Sequence, residues 1–218
     1  KWDVPAHPDD GIHCVDLETG AVEQLISTAE VVTNEPLDAF EREPSWLMHP
    51  LWSPGGDRFA FLHRWNDPQG ATRERLYTAD ADGEDLHMFP DTQLYTHLSW
   101  RDAETLTVWG LPPSPRQRME TVVRTTAMLR GLVVPLYRWA RSHVPGMGQR
   151  VSQQGVGLPQ RVYMDYTDGT DRCERIAPEA LPTDGHPSWD AAGRRMLTDT
   201  YGDPRELMLY DAVRRLYT

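Results

Sequence analysis

Three histidines recur at equivalent positions of the sequence, and imidazoles gathered in one place can bind a metal ion or transfer protons. His49, His97 and His186 each stand three residues before a tryptophan, in the segments HPLW, HLSW and HPSW. Neutral imidazoles are common ligands of borderline divalent metals, and three of them leave coordination positions for water or a substrate carboxylate. The recurrence therefore predicts a shared metal or catalytic site, provided that the fold brings the three histidines together.

Duplication offers a second interpretation of the same pattern. A repeat copies its residues whether or not they act, and a histidine before a strand can simply hydrogen-bond backbone groups or a neighbouring sheet. At the level of the sequence, the metal or catalytic interpretation and this capping interpretation both stay open.

The segments that follow the histidines predict repeated antiparallel strands. Each histidine segment leads into a turn rich in Gly, Asp or Arg and then into an apolar strand. Further strands are predicted at 75–80, 161–166 and 206–211, and the segments DADGEDL and DYTDGTDR are typical of hairpin turns with a glycine at positive φ. A four-stranded unit repeated about every 40 to 50 residues is typical of β-propeller blades. We expect an all-β fold over residues 1–218, a partial β-propeller of about three to three and a half four-stranded blades.

A resemblance to a known repeat family supports this fold. The segment WSPGGDRFAFLHRW followed by RLYTADADGEDL resembles the TolB-like β-propeller repeat, a WD40-like repeat with a W-S-P-D-G turn and an I-Y-x-x-D-A-D-G hairpin. The resemblance covers most of the chain apart from 28–46 and 111–160. Closed propellers hold more blades than this chain supplies. The resemblance therefore implies a single segment of a 6–8-bladed propeller or, alternatively, an arc closed by oligomerisation.

Blade geometry predicts where the candidate residues lie. The first strand of a blade lines the central channel, and an antiparallel second strand ends on the face of the disc where the first begins. The three histidines are predicted to open first strands at the channel mouth. We expect the same rim to carry the residues at the end of one second strand and at the equivalent region of the last blade: His63, Arg64, Tyr201 and Arg205.

The histidines and arginines also resemble those of oligogalacturonate lyases, which are propellers of the same repeat type. In that family a histidine-bound divalent metal, usually manganese, holds the uronate carboxylate, a histidine base removes the C5 proton and an arginine helps to hold the sugar acid. The segment DGHPSW…LTDTY is in addition similar to uncharacterised propeller proteins without an assigned reaction.

Carried over by position, the resemblance implies roles for individual residues. It makes His49, His97 and His186 the metal ligands, His63 the base, and Arg64 and Arg205 the catalytic carboxylate clamps. The same two arginines would also bind substrate, together with Arg75 and Tyr201. The bidentate fork of arginine suits a carboxylate well.

Two functions follow as expectations. The first is metal-assisted β-elimination on a uronate-containing oligosaccharide, in which an acidic oligosaccharide is the partner and Mn²⁺ the expected cofactor. The alternative is a noncatalytic TolB-like scaffold without a cofactor, whose rim binds a glycan or a protein.

An insertion at 112–158 separates strands of one predicted blade. From Arg116 to Arg141 it holds six arginines and one acidic residue, and its apolar residues fall on one helical face. We expect a basic helix over 116–142. Three interpretations are open: the helix packs on the propeller edge, covers the channel mouth as a lid, or contacts an anionic membrane surface or a partner.

The overall charge excludes one class of partner. The formal net charge is −11, whereas nonspecific binding to nucleic acid requires a basic face, so no nucleic-acid partner is expected. No apolar run approaches the roughly 20 residues of a transmembrane helix, so no transmembrane segment is expected either. The localisation stays open, with a cytoplasmic location slightly favoured over a periplasmic one.

Overall fold

The fold was analysed in a computed structural model, which describes residues 4–41, 43–114, 161–176, 181, 183–201, 204–214 and 216–217. The predicted insertion at 112–158 falls almost entirely outside these residues, and the predicted basic helix over 116–142 lies wholly outside them. In the part described, no helix is long and apolar enough to span a membrane.

Among the residues described, fourteen strands form four separate antiparallel sheets in chain order. Sheet 1 pairs β1 (Gly11–Val15) with β2 (Val22–Ser27). The other three sheets have four strands each, paired in chain order. Sheet 2 contains β3 (Ser45–Trp52), β4 (Arg58–Asn66), β5 (Thr72–Asp80) and β6 (His87–Met88); sheet 3 contains β7 (Tyr95–Trp100), β8 (Thr105–Gly110), β9 (Val162–Thr167) and β10 (Cys173–Arg175); and sheet 4 contains β11 (Ser188–Trp189), β12 (Arg195–Asp199), β13 (Leu207–Asp211) and β14 (Leu216–Tyr217).

A short helical segment connects sheets 1 and 2. Helix α1 (Thr28–Asn34) begins with a capping box, in which Ser27 and Glu30 satisfy each other's backbone N–H groups. A 3-10 turn at Asp38–Glu41 follows and buries Phe40. This segment covers one face of sheet 2, where Phe40 contacts rings of β4.

The sheets pack face to face because their central strands are apolar on both sides. Successive residues of a strand point to opposite faces. In β4, Phe59 and Phe61 belong to the core between sheets 1 and 2, whereas Ala60 and Leu62 belong to the core between sheets 2 and 3. A third core between sheets 3 and 4 contains Tyr163 and other buried residues. Each sheet therefore lies against the next one along the chain.

Hydrogen bonds also join neighbouring sheets. Asp168 of the β9–β10 turn accepts a bond from Thr78 of β5 at 2.6 Å and pairs with Arg58 of β4. The Trp100 indole donates to the backbone carbonyl of Leu51 at 3.0 Å. These contacts fix how sheet 3 lies on sheet 2, and so fix the relative positions of β3 and β7.

The prediction of an all-β fold is confirmed, since the described residues form four small antiparallel sheets, none of them closed, and a single α-helix. The two predicted hairpin glycines, Gly83 and Gly169, have φ of +88° and +64°. The arrangement of the sheets as blades of a propeller stays a prediction.

Candidate functional site

The three recurring histidines line one pocket. The rings of His97 and His186 lie 4.3 Å apart, centroid to centroid. The pocket measures about 320 Å³, and its remaining lining residues are prolines and leucines: Pro50, Leu51, Leu98 and Pro187. Three imidazoles from sheets 2, 3 and 4 thus meet at one opening, as the repeat predicts.

Irregularities in the strands place two of these histidines. The β3–β4 register shifts between Met48 and Leu51, and the β7–β8 register shifts between Tyr95 and Leu98. His49 and His97 lie inside these irregular stretches. Bulges are common beside functional sites because they change the direction of a side chain. The prediction that all three histidines stand before their strands is therefore correct for His186 only.

His49 has a backbone conformation that is rare for its residue type. Its φ is +54°, in the left-handed region. Pro50, the next residue, has no N–H to donate to the β3–β4 ladder, which favours an interruption there. Burial lowers the pKa of His49, and the positive charge of Arg64 lowers it further. Both effects favour the neutral imidazole.

Two carboxylates hold the rings of His97 and His186. The Nδ1 atom of His97 lies 2.9 Å from Asp184, and the Nδ1 atom of His186 lies 3.0 Å from Asp199. Asp199 also accepts the backbone N–H of His186 at 2.6 Å, a bond that lowers the pKa of its carboxyl. Sequence reasoning missed Asp184, whose only signal is that it stands two residues before His186.

Tyr201 lies at the pocket, as predicted. Its hydroxyl is 3.3 Å from Nε2 of His186, and its ring centroid is 5.8 Å from that of His97. The side chain is about half exposed, so a bound molecule can reach it.

Arg64 also lies on the side of the histidines, although it is not free. Its guanidinium is paired with Glu74 of β5 and is close enough to His49 to lower the pKa of that histidine. Glu74 is buried, and burial raises the pKa of its carboxyl. Arg161 is exposed and lies within electrostatic range of Glu74. Sequence reasoning missed both Glu74 and Arg161.

His63 does not join the three pocket histidines. It is fully buried, with ring contacts to Phe40 at 4.9 Å and to Trp65 at 5.6 Å. Burial lowers its pKa to about 3, and the positive charge of Arg75 contributes. The structure therefore places His63 in the core beneath the 3-10 turn, where a sugar cannot reach its ring nitrogens.

Of the two other predicted arginines, Arg75 lies apart from the pocket histidines. Arg75 is buried and bonds Asp91 through Nε at 3.0 Å and through Nη2 at 2.7 Å. Its guanidinium lies over the ring of Phe40, 5.3 Å from the centroid. Arg205 is exposed just before β13, and no hydrogen bond or ion pair of its side chain is seen within the described part of the chain.

The donor chemistry of the pocket fits the divalent metal that the lyase resemblance implies. Because Nδ1 of His97 and of His186 is bonded to a carboxylate, Nε2 is the nitrogen that each ring offers to an ion, as in many metal sites. Within the described ranges, however, no three His, Cys, Asp or Glu side chains are already spaced to hold an ion. The three rings would have to close around it.

Comparison with known proteins adds no family assignment. No protein-family model matches the sequence, and no curated protein matches it either.

Gly185 sets the path of the chain into His186, and Gly185→Ala is expected to disturb the pocket. A Cβ atom there would lie 1.8 Å from the backbone oxygen of Asp199 and 2.6 Å from Oγ1 of Thr198. The backbone must shift, at a cost of about 1 to 3 kcal/mol in the free energy of unfolding. Chemical denaturation measures this cost. Gly55→Ala is the control, since its φ is not in the left-handed region and its added Cβ would meet the side-chain carboxylate of Asp57, at 3.0 Å, rather than backbone. An unchanged Gly185→Ala variant would contradict the packing described here.

Proposed function

We propose that the four sheets are blades of a partial β-propeller of the TolB-like type, with the three-histidine pocket at the mouth of its channel. Face-to-face packing of successive sheets supports this arrangement. So does the convergence of three first-strand segments on one pocket.

We further propose that the pocket binds the carboxylate of a uronate-containing oligosaccharide and that the protein cleaves this substrate by β-elimination. In this step the C5 proton passes to solvent water in the open pocket, and the C4–O bond breaks so that the sugar attached there leaves as its hydroxyl. The observation that carries the binding is the meeting of His49, His97 and His186 in one open pocket. The elimination itself rests on the resemblance to oligogalacturonate lyases.

His49, His97 and His186 are the residues that would hold a divalent metal in this site. A bound metal would polarise the uronate carboxylate and make the adjacent C5 proton more acidic. Arg64 carries positive charge close to His49 and partly offsets the carboxylates that hold the pocket histidines. The exposed hydroxyl of Tyr201 is placed to hydrogen-bond the sugar. His63 has no part in this proposal, because its ring lies within the core.

A noncatalytic scaffold that binds an acidic glycan is the second candidate. The burial of His63 favours it, since the base implied by the lyase resemblance is withdrawn from the pocket. The two candidates share the pocket and differ only in whether a bond is broken.

The test compares His97→Ala and His186→Ala with His13→Ala, which removes an exposed histidine of β1. Calorimetry measures the affinity for Mn²⁺ and for an oligogalacturonate, and ultraviolet absorbance follows the unsaturated uronate product. We expect wild type and His13→Ala to bind both and to form product. Each pocket variant removes a metal ligand itself. Its Mn²⁺ affinity should therefore fall by more than the roughly 10- to 100-fold that is typical when only a hydrogen-bond partner of a ligand is removed.

Three outcomes decide between the candidates. Binding of the oligosaccharide without product in the wild type replaces the lyase with the scaffold. If the wild type binds the oligosaccharide and forms product without binding Mn²⁺, the metal is removed from the proposal. Wild type that binds neither Mn²⁺ nor oligogalacturonate contradicts both candidates.

A further inference from the structure

We infer that Asp184 and Asp199 are positioning residues that fix the proton of His97 and of His186 on Nδ1, so that both rings keep Nε2 as the lone-pair nitrogen. The inference deepens the proposed function. It rests on that proposal only for the statement that Nε2 of each ring binds a metal. The tautomers themselves follow from the hydrogen bonds.

The first ring is held between sheets. His97 lies on β7 of sheet 3, and Asp184 belongs to the segment that leads into sheet 4. Since an ionised carboxylate only accepts hydrogen bonds, the 2.9 Å contact places the proton on Nδ1 of His97. Asp184 is itself held, because it accepts the Thr96 hydroxyl at 3.2 Å and the backbone N–H of Gly185 at 2.9 Å.

The second ring has a hydrogen-bond partner at each nitrogen. Asp199 at the end of β12 lies 3.0 Å from Nδ1 of His186 and requires a proton there. On the other side of the ring, the Tyr201 hydroxyl lies 3.3 Å from Nε2. If Tyr201 donates this bond, Nε2 is without a proton, in agreement with the Asp199 contact.

The consequence is a matched pair of rings. His97 and His186 lie 4.3 Å apart, and each has a carboxylate on Nδ1. A carboxylate on one nitrogen fixes the orientation of the ring and makes the other nitrogen a better ligand. Asp184 and Asp199 thus orient both rings so that Nε2 is available to a metal ion even in the metal-free protein.

The first experiment reads the tautomers directly in the metal-free protein. Nitrogen-15 NMR of labelled histidines distinguishes a protonated from an unprotonated ring nitrogen. We expect Nδ1–H for both rings in the wild type. An Asn amide either donates or accepts, so Asp184→Asn should raise the Nε2–H population of His97 alone, and Asp199→Asn that of His186 alone. Nε2–H rings in the wild type, or variants with unchanged spectra, would overturn the inference.

The second experiment measures Mn²⁺ affinity by calorimetry. Asp184→Asn and Asp199→Asn are each expected to weaken it by about 10- to 100-fold. Asp102→Asn is the control, since Asp102 only accepts a backbone N–H in a turn after β7. Affinities unchanged in both pocket variants would refute the positioning role. Correct tautomers in a wild type that binds no Mn²⁺ would instead refute the metal in the proposed function and leave the tautomer assignment standing.

Discussion

Acidification is expected to destabilise the protein through His63, by roughly 4 kcal/mol in the free energy of unfolding between pH 6.5 and pH 3. His63 is fully buried, and burial lowers its pKa from 6.5 to about 3. In the unfolded chain the same imidazole titrates near 6.5. Below that pH the unfolded state therefore binds one more proton than the folded state, and stability falls as the pH falls. Above pH 6.5 the contribution is constant.

The surroundings of His63 explain the size of the effect. Its ring lies against Phe40, Trp65 and Tyr77, and both ring nitrogens are buried without a hydrogen-bond partner among the described residues. The nearest charge is the guanidinium of Arg75, which opposes a second positive charge. A protonated His63 would be cut off from water and repelled by the guanidinium of Arg75, so the folded protein disfavours protonation of this ring.

Denaturant unfolding at a series of pH values checks the prediction. Carboxylates also contribute to acid unfolding, so the informative quantity is the difference from His63→Phe, which removes the buried imidazole alone. We expect that variant to lose less stability than the wild type from pH 6.5 to 4, and His13→Ala to follow the wild type. Parallel curves for the wild type and His63→Phe would show that His63 does not titrate as described.

The neighbours His63 and Arg64 show what the sequence could have predicted about the site. Adjacent residues of a strand point to opposite faces, so both cannot reach one pocket from a regular β4. The strand places Arg64 on the side of Ala60 and Leu62, and His63 on the side of Phe61. Applying the two-residue period to β4 would have separated them in advance. It would also have separated Arg75 from the site, because Arg75 pairs directly with His63 across β4 and β5.

The convergence of the three histidines was predictable because it depends on the repeat. Each histidine stands three residues before a tryptophan, and equivalent positions of stacked sheets meet at one edge. Asp184 acts through a contact of a different kind. Asp184 contacts a ring from another sheet, 87 positions away in sequence. Such a contact depends on the relative orientation of two packed sheets, and no local pattern in the sequence encodes that orientation.

The positions of the strands were likewise better predicted than their irregularities. The segments at 161–166 and 206–211 become β9 and β13 almost as expected. By contrast, β3 begins at Ser45, so His49 lies inside the strand. The positive φ of His49 exists because the rest of β3 and β4 is paired on both sides of it. That conformation is imposed by the sheet rather than preferred by histidine.

Arg75→Ala is expected to cost about 3 to 5 kcal/mol in the free energy of unfolding, as for other buried ion pairs broken on one side. Arg75 bonds Asp91 twice, donates to the backbone oxygen of Glu35 at 2.6 Å and lies over the Phe40 ring. Its loss therefore removes the guanidinium from Asp91 and a bond that fastens the helical segment to sheet 2. Denaturant unfolding at pH 7 measures the cost.

Arg205→Ala is the matched control, because Arg205 is an exposed arginine that was likewise predicted to bind substrate. Its removal should change stability by no more than about 0.5 kcal/mol, as is usual for surface positions. Calorimetry with oligogalacturonate separates packing from binding, since folded Arg75→Ala protein should bind it as the wild type does. If the Arg75→Ala variant had normal stability but bound oligogalacturonate more weakly, Arg75 would belong to the substrate site after all. That result would also mean that the 3-10 turn does not cover β5, since a sugar can reach Arg75 only where Phe40 now lies.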